Sequence, residues 1–205
     1  MRTLQLGLCL VALVAGGCAT TSFSSKWYAP DAEPVKLNGQ KVAAVVMTKN
    51  PGARRPAEDT LAREITKRGA VGIPAYSLIP DEQIRDLESS KRLLTEAGVQ
   101  GVVSMRVVSR DKQTTYVPGA WTSGPYYGSF SGYWGYGWGA AYDPGYVQTD
   151  EIVSVETLIY SLRQDKLIWA GMSETINPSK VDGLVTELAG RIAGEMEKEG
   201  LLVKP

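Results

Sequence analysis

The stretch that most restricts the fold runs from Glu151 to Ile176, where two long runs of β-favouring residues flank a short polar turn at Arg163 to Lys166. Glu151 to Leu162 and Leu167 to Ile176 read as the two strands of a hairpin. A two-residue turn at Gln164 and Asp165 would set Trp169 opposite Tyr160, Leu167 opposite Leu162 and Gly171 opposite Leu158 on one side. The other side would pair Ile168 with Ser161, Ala170 with Ile159, Met172 with Thr157 and Ile176 with Val153. Large apolar groups then lie on both faces, so both faces require a cover. Amphipathic helices can cover one. For the other, the candidates are the aromatic segment just upstream and a second subunit.

The remaining periodicities supply those helices and the rest of a sheet. Lys41 to Met47 is a nearly continuous apolar run, as expected of a strand buried on both faces. Pro56 to Gly69 carries acids early and bases late, with Leu61 and Ile65 on one face, and reads as a short helix. Val71 to Ile79 reads as a second strand, placed at an edge or bulge because Pro74 has no N–H to give to a ladder. Leu87 to Ala97, stopped by Gly98, is a helix whose expected inner face is Leu87, Leu94 and Ala97. Gly101 to Val108 is a third strand. After the hairpin, Val181, Leu184, Val185, Leu188, Ile192 and Met196 recur at helical spacing. Ser179 and Asp182 suggest a capping box for that helix, and Gly200 before two leucines suggests a Schellman ending. The order is βαβαβ, an insertion at 119–146, then ββα. The fold class expected is a single α/β (α+β) domain over 41–205, three helices on a mixed sheet.

The amino terminus speaks to location. Arg2, an apolar stretch from Leu4 to Ala15 and small residues before Cys18 form a secretory signal over 1–17. Leu13 to Cys18 resembles the lipobox of bacterial lipoproteins, which implies lipidation of Cys18 and a membrane anchor. Ala19 after the cysteine implies sorting to the outer membrane, periplasmic face. Residues 18–40, rich in Ser, Thr, Ala and Pro, read as a tether with a turn at Asn38 and Gly39. Cys9 falls in the signal, so the mature chain is left with no free thiol and no possible disulfide. Basic and acidic residues balance at 22 each, and losing Arg2 with the signal moves the net charge to about minus one. No nucleic-acid partner is expected.

The lipobox, the βαβα opening and above all YSLRQDKLIWAGMSET, Tyr160 to Thr175, resemble the lipoprotein group that includes CsgG and the amino-terminal domain of TolB. The glycine- and aromatic-rich insertion further resembles DUF4136-type envelope lipoproteins. The resemblance implies a TolB amino-terminal-like fold. The pore that CsgG builds is not expected, because the insertion lacks two runs of about ten residues in strict apolar/polar alternation.

The chain has no histidine. Ser-His and Cys-His nucleophiles and histidine zinc sites are therefore excluded, and no cofactor or metal is expected. No glycine-rich phosphate loop precedes a helix. A carboxylate-dependent hydrolase is the one enzymatic alternative. Under the pairing above, Glu156 and Glu174 point to opposite faces of the hairpin and cannot flank one bond. Asp81, Glu82, Glu195, Glu197 and Glu199 read as solvated helix-end charges. The expected protein is not an enzyme.

Between Lys112 and Asp143 no side chain is charged, and rings recur every few positions. Plain solvating linkers are charged and poor in aromatics. Trp121, Tyr126, Tyr127, Phe130, Tyr133, Trp134, Tyr136, Trp138 and Tyr142 are the candidate binding residues, with mobile backbone expected at Gly135 to Gly139. Four readings stay open: an insertion packed on the hairpin's uncovered face, a surface for self-association or for another envelope protein, a glycan or peptidoglycan contact, and a bilayer-interface contact. The function expected is that of a lipid-anchored, non-catalytic binding or assembly module.

Overall fold

The computed structural model describes residues 20–31, 34, 39–117, 129–142 and 145–202. The signal, Cys18 and most of the expected tether lie outside this set. Ten main elements follow in order: β1 (Thr20–Tyr28), β2 (Lys41–Met47), α1 (Pro51–Thr66), β3 (Val71–Pro74), α2 (Leu87–Glu96), β4 (Gly101–Val117), α3 (Phe130–Tyr142), β5 (Tyr146–Ser161), β6 (Lys166–Ile176) and α4 (Val181–Lys198). A 3-10 turn, Ala75–Ser77, follows β3. The chain is a single mixed α+β domain with a six-stranded sheet ordered β1-β6-β5-β4-β2-β3. β2 runs parallel to β3 and β4, and the other pairings are antiparallel.

Two helices close one face. α1 and α4 lie over the sheet around Leu61, Ile65, Met105, Val155, Leu188, Ile192 and Met196, with Trp169 (1% exposed) at the centre. The inner stripe expected for α4 is the one that is buried, apart from its first two members: Val181 is exposed and Leu184 half-buried. Gly200 adopts φ +69°, and the Leu201 N–H returns to the Met196 carbonyl at 2.8 Å, the Schellman closure. Its amino-terminal capping box does not form: Lys180 is the cap, and Asp182 accepts a 3.3 Å hydrogen bond from Thr60 instead. On the opposite face, α2 covers only the β2–β4 end, through Leu94, Ile79, Val99 and Val102. Leu87, expected inside, is the first residue of the helix and is 74% exposed.

Four expectations need correction. The tether is partly a strand: β1 pairs with β6 from Thr20↔Ile176 to Tyr28↔Trp169, and its Phe23 meets the Trp169 ring edge-on at 5.8 Å. α1 starts a turn early, at Pro51 behind an Asn50 cap, and Pro56 sits within the helix. There it removes the i→i−4 hydrogen bond to the Gly52 carbonyl. The hairpin register is offset by one residue. Ile159, not Tyr160, faces Trp169, and Leu158 faces Ala170, because the turn spans Leu162 to Asp165 and β6 carries an extra residue at Ile168. That bulge lets the consecutive Ile168 and Trp169 both be buried. Finally, β3 ends at Pro74, shorter than expected, though at the sheet edge where a proline belongs.

Candidate functional site

The longest strands are the ones whose ends leave the body. β4 and β5 stay paired from Gly101↔Ser161 to Val117↔Tyr146, well past Ile152, which is where β6 stops. Beyond that row the two strands form a ribbon with both faces in solvent. Its first rows are charged, with Arg110 bonded to Glu151 at 3.3 Å and Lys112 opposite Glu151. Its last rows, Thr114↔Thr149 to Val117↔Tyr146, are neutral.

At the end of this arm sits α3. Ser129 caps it, its hydroxyl accepting the Gly132 N–H at 3.1 Å and its carbonyl the Tyr133 N–H at 3.0 Å. Phe130, Trp134 and Trp138 recur at a spacing of four, so they share one stripe. Their ring centroids are 5.5 Å and 5.9 Å apart in succession. All are largely open to solvent, at 77%, 56% and 51% exposure, and Tyr133 beside them is exposed too. None of the described α3 residues joins either core cluster of the body.

This helix is improbable on its own terms. Gly132, Gly135, Gly137 and Gly139 fall within its thirteen residues, and each costs about 1 kcal/mol relative to alanine. Isolated helices of that length are marginal in water even when alanine-rich. The i,i+4 ring contacts return only a few tenths of a kcal/mol each.

The candidates named from sequence thus divide. Phe130, Trp134 and Trp138 are brought together, and Tyr133 adjoins them. Trp121, Tyr126, Tyr127 and Cys18, and the side chains of Tyr136 and Tyr142, lie outside the described residues. The backbone at Gly135 to Gly139 is helical, where mobile chain was expected. No described residue of α3 belongs to the cluster around Trp169, which Phe23, α1 and α4 line.

On the outer face across β1, β6 and β5, apolar side chains among the described residues are exposed. Trp27, Tyr160 and Ile176 are exposed on the body, and a groove of about 160 Å³ runs between Ser25 to Trp27, Glu156, Leu158 and Ala170 to Met172. Glu156 and Glu174 share this face, contrary to the expected register: Glu156 faces Met172 and Glu174 faces Ser154, two positions along. Glu156 is bound by Arg106, whose Nε and Nη2 donate to one carboxylate oxygen at 3.1 Å and 2.9 Å, while Glu174 is exposed. A second recess, of about 380 Å³, opens at the opposite end from the arm, between α1, α4 and the starts of β2 and β4. Its floor is Val42, Leu61, Ile168 and Ile192, and Gln100 and Gln164 stand at its rim. Glu64 on its wall is held below the usual carboxylate range: burial pushes it up, but ion pairs with Lys67 and Arg68 outweigh that.

Sequence reasoning missed one cluster entirely. Glu58 is 0% exposed, and its carboxylate accepts the Val46 N–H at 3.1 Å, the Tyr76 N–H at 2.8 Å and the Arg54 Nε at 2.9 Å. Arg54, also buried, reaches on to Asp81 at 2.6 Å, and Arg55 completes the bridge at 3.4 Å. Asp81, exposed as expected, is thus also an ion-pair partner of the buried Arg54. Pro74 ends β3 just before Val46 and Tyr76 would need ladder partners, and Glu58 takes both donors. Among the described residues no group of three or more acidic, cysteine or histidine side chains could hold a metal ion, and no helix is long and apolar enough to cross a membrane.

No protein-family model matches the chain. No curated protein sequence matches it either. Among solved structures, the PelC dodecamer from Paraburkholderia phytofirmans aligns over 85% of this chain and 94% of its own, with 12% identity and a TM-score of 0.45. The lipoprotein GNA1162 from Neisseria meningitidis aligns over 78% of this chain and 99% of its own, at 12% identity and a TM-score of 0.40. A minor lipoprotein from Acinetobacter baumannii aligns over 78% and 94%, at 10% identity and 0.36. The similar structures thus include bacterial lipoproteins, at identities where the likeness concerns chain trace alone.

Proposed function

We propose that this chain is a non-catalytic lipoprotein of the bacterial envelope, held by acylated Cys18 at the periplasmic face of the outer membrane, and that α3 on its β4–β5 arm is its contact surface. Kinship with the CsgG and TolB amino-terminal-domain group belongs to the same reading. One observation carries it: Phe130, Trp134 and Trp138 stand in a single exposed row on a glycine-rich helix whose described residues join neither core cluster. Large rings give contact area at low entropic cost, and placing them on an arm away from the core separates contact from stability. The absence of histidine and of a mature thiol supports the non-catalytic part.

A photo-crosslinking residue at Tyr133, in the full chain in cells, tests this. The expected result is an adduct with a protein, glycan or lipid that disappears when Phe130, Trp134 and Trp138 are all replaced by serine, while the variant accumulates normally in the membrane fraction. An adduct pattern unchanged by the triple replacement would overturn the assignment.

A further inference from the structure

The direction in which the chain leaves the sheet narrows the partner. Thr20 lies on the row Thr20↔Ile176↔Ile152, at the end of the sheet where β6 stops. Read backwards, β1 arrives at Thr20 running the same way as β5 does going back from Ile152 towards Tyr146, because both strands are antiparallel to β6. Thr20, two residues from the anchor cysteine in sequence, and the arm therefore lie at the same end of the sheet. Cys18 is two residues from Thr20, a reach of about 7 Å. The six residues from Ile152 to Tyr146 extend the arm by about 20 Å, before α3 is counted.

An anchor that holds this end of the sheet within about 7 Å of the headgroups leaves no room for a 20 Å arm to stand clear in water. The arm's composition matches that constraint. Its charges stop at Lys112, Asp150 and Glu151, and past them Gln113 to Val117, α3 and Tyr146 to Thr149 carry none, Asp143 being the one charge between α3 and β5.

We infer, building on the reading of α3 as a contact surface, that its occupant is a lipid surface: α3 rests in the headgroup layer of the same leaflet that receives the acyl chains of Cys18. At about 1.5 Å per residue its thirteen residues measure about 20 Å, short of the roughly 30 Å hydrocarbon core, so the helix lies in the interface and does not cross. A helix satisfies its own backbone hydrogen bonds, as a segment leaving water must. Tryptophan prefers this depth, with its ring among acyl carbons and its N–H among headgroups. The lipid-facing stripe is Phe130, Trp134 and Trp138, and the rest of the helix, serine, glycine, alanine and tyrosine, places no charge near the bilayer. The contact also gives the protein a second foothold, which fixes the tilt of the body over the membrane.

The mature chain's one cysteine is the acylated one, so a thiol introduced at Ser131 takes a fluorophore at a single place. The full acylated Ser131→Cys protein, labelled and reconstituted in vesicles of phosphatidylethanolamine with a minor fraction of phosphatidylglycerol, is compared with a Ser89→Cys control on α2. Expected are severalfold stronger quenching at 131 by a spin label near the headgroup than by one deep in the acyl chain, protection from aqueous iodide, and loss of both with Phe130, Trp134 and Trp138 replaced by serine. The control should stay open to iodide throughout. Stronger quenching by the deep label would overturn the interfacial placement. Full iodide access at 131 would overturn the lipid partner. If the Tyr133 crosslink to a protein or glycan nevertheless persists and depends on the three rings, α3 remains a contact surface and only the lipid inference falls; if that crosslink is absent as well, both fall.

Discussion

Glu58 is fully buried and Trp134 is more than half exposed, the reverse of where a carboxylate and an indole ordinarily sit. The two regions put their unusual residues to different uses. In the body, a charge is buried because three donors converge on it: Val46 and Tyr76 from backbone left unpaired by Pro74, and Arg54 from the same helix. Its surroundings define its place completely. On the arm, the rings of Phe130, Trp134 and Trp138 are stacked in succession and belong to neither core cluster of the body. The comparison separates residues that hold the fold from residues that the fold holds out.

The sharpest way to break that contrast is at Glu58. Glu58→Ala orphans a buried guanidinium and two backbone N–H groups together, and should cost about 3 to 5 kcal/mol; a urea midpoint within experimental scatter of the parent would show that the cluster is not structural. Next in size is Gly171→Ala. A methyl group at Gly171 would sit 2.2 Å from the Trp169 ring, so the indole must leave its buried seat beside Phe23. About 1 to 3 kcal/mol should be lost, with a change in near-ultraviolet dichroism. An unaltered tryptophan signal would mean that the ring is not packed as described.

A smaller effect is expected from Glu195, which ties α4 to β1. Hydrogen bonds from Lys198 and Lys26, against the opposing effect of burial, lower its pKa from 4.5 to about 2. A depressed carboxylate stabilises the fold above its unfolded pKa, so this contribution is complete above about pH 4.5 and is lost as pH falls towards about 2. Both lysines are exposed, which keeps it under about 1 kcal/mol. Glu195→Gln should flatten the acid limb of stability against pH, and an unchanged limb would remove the pair from the account. The smallest effect belongs to the arm. Replacing Phe130, Trp134 and Trp138 by serine should shift the unfolding free energy of the body by less than about 0.5 kcal/mol. A loss of several kcal/mol would put the rings in the core after all.

How much of this could be read from residues alone follows the same division. Where one face meets a core, pattern and structure agree: the stripe of α4 through Leu188 and Ile192, the apolar run of β2, the edge position implied by Pro74. The hairpin strands were legible but their register was not, because an extra residue at Ile168 is invisible to alternation and moves each side chain past it relative to its partner. β1 was illegible because Ser24 interrupts its alternation and its serines and threonines suit a linker equally well; only pairing with β6 makes it a strand. The arm's strands, Arg110 to Thr115 above all, have solvent on both sides and so carry no period of two. α3 was hidden by its glycines, whose propensity argues against a helix. The rings that compose the candidate site could be named, while their arrangement in a row could not.

The pairing of β1 with β6 has a mechanical side. In the anchored protein proposed here, drag carried by the acyl anchor reaches the body through Thr20, along the axis of β1. Load applied along a strand is carried in shear, by all the rungs from Thr20↔Ile176 to Tyr28↔Trp169 together, and not one rung at a time as in peeling. The strand that reads as slack tether is thus the cable's splice, and Phe23 seated against Trp169 is the knot that keeps it from sliding.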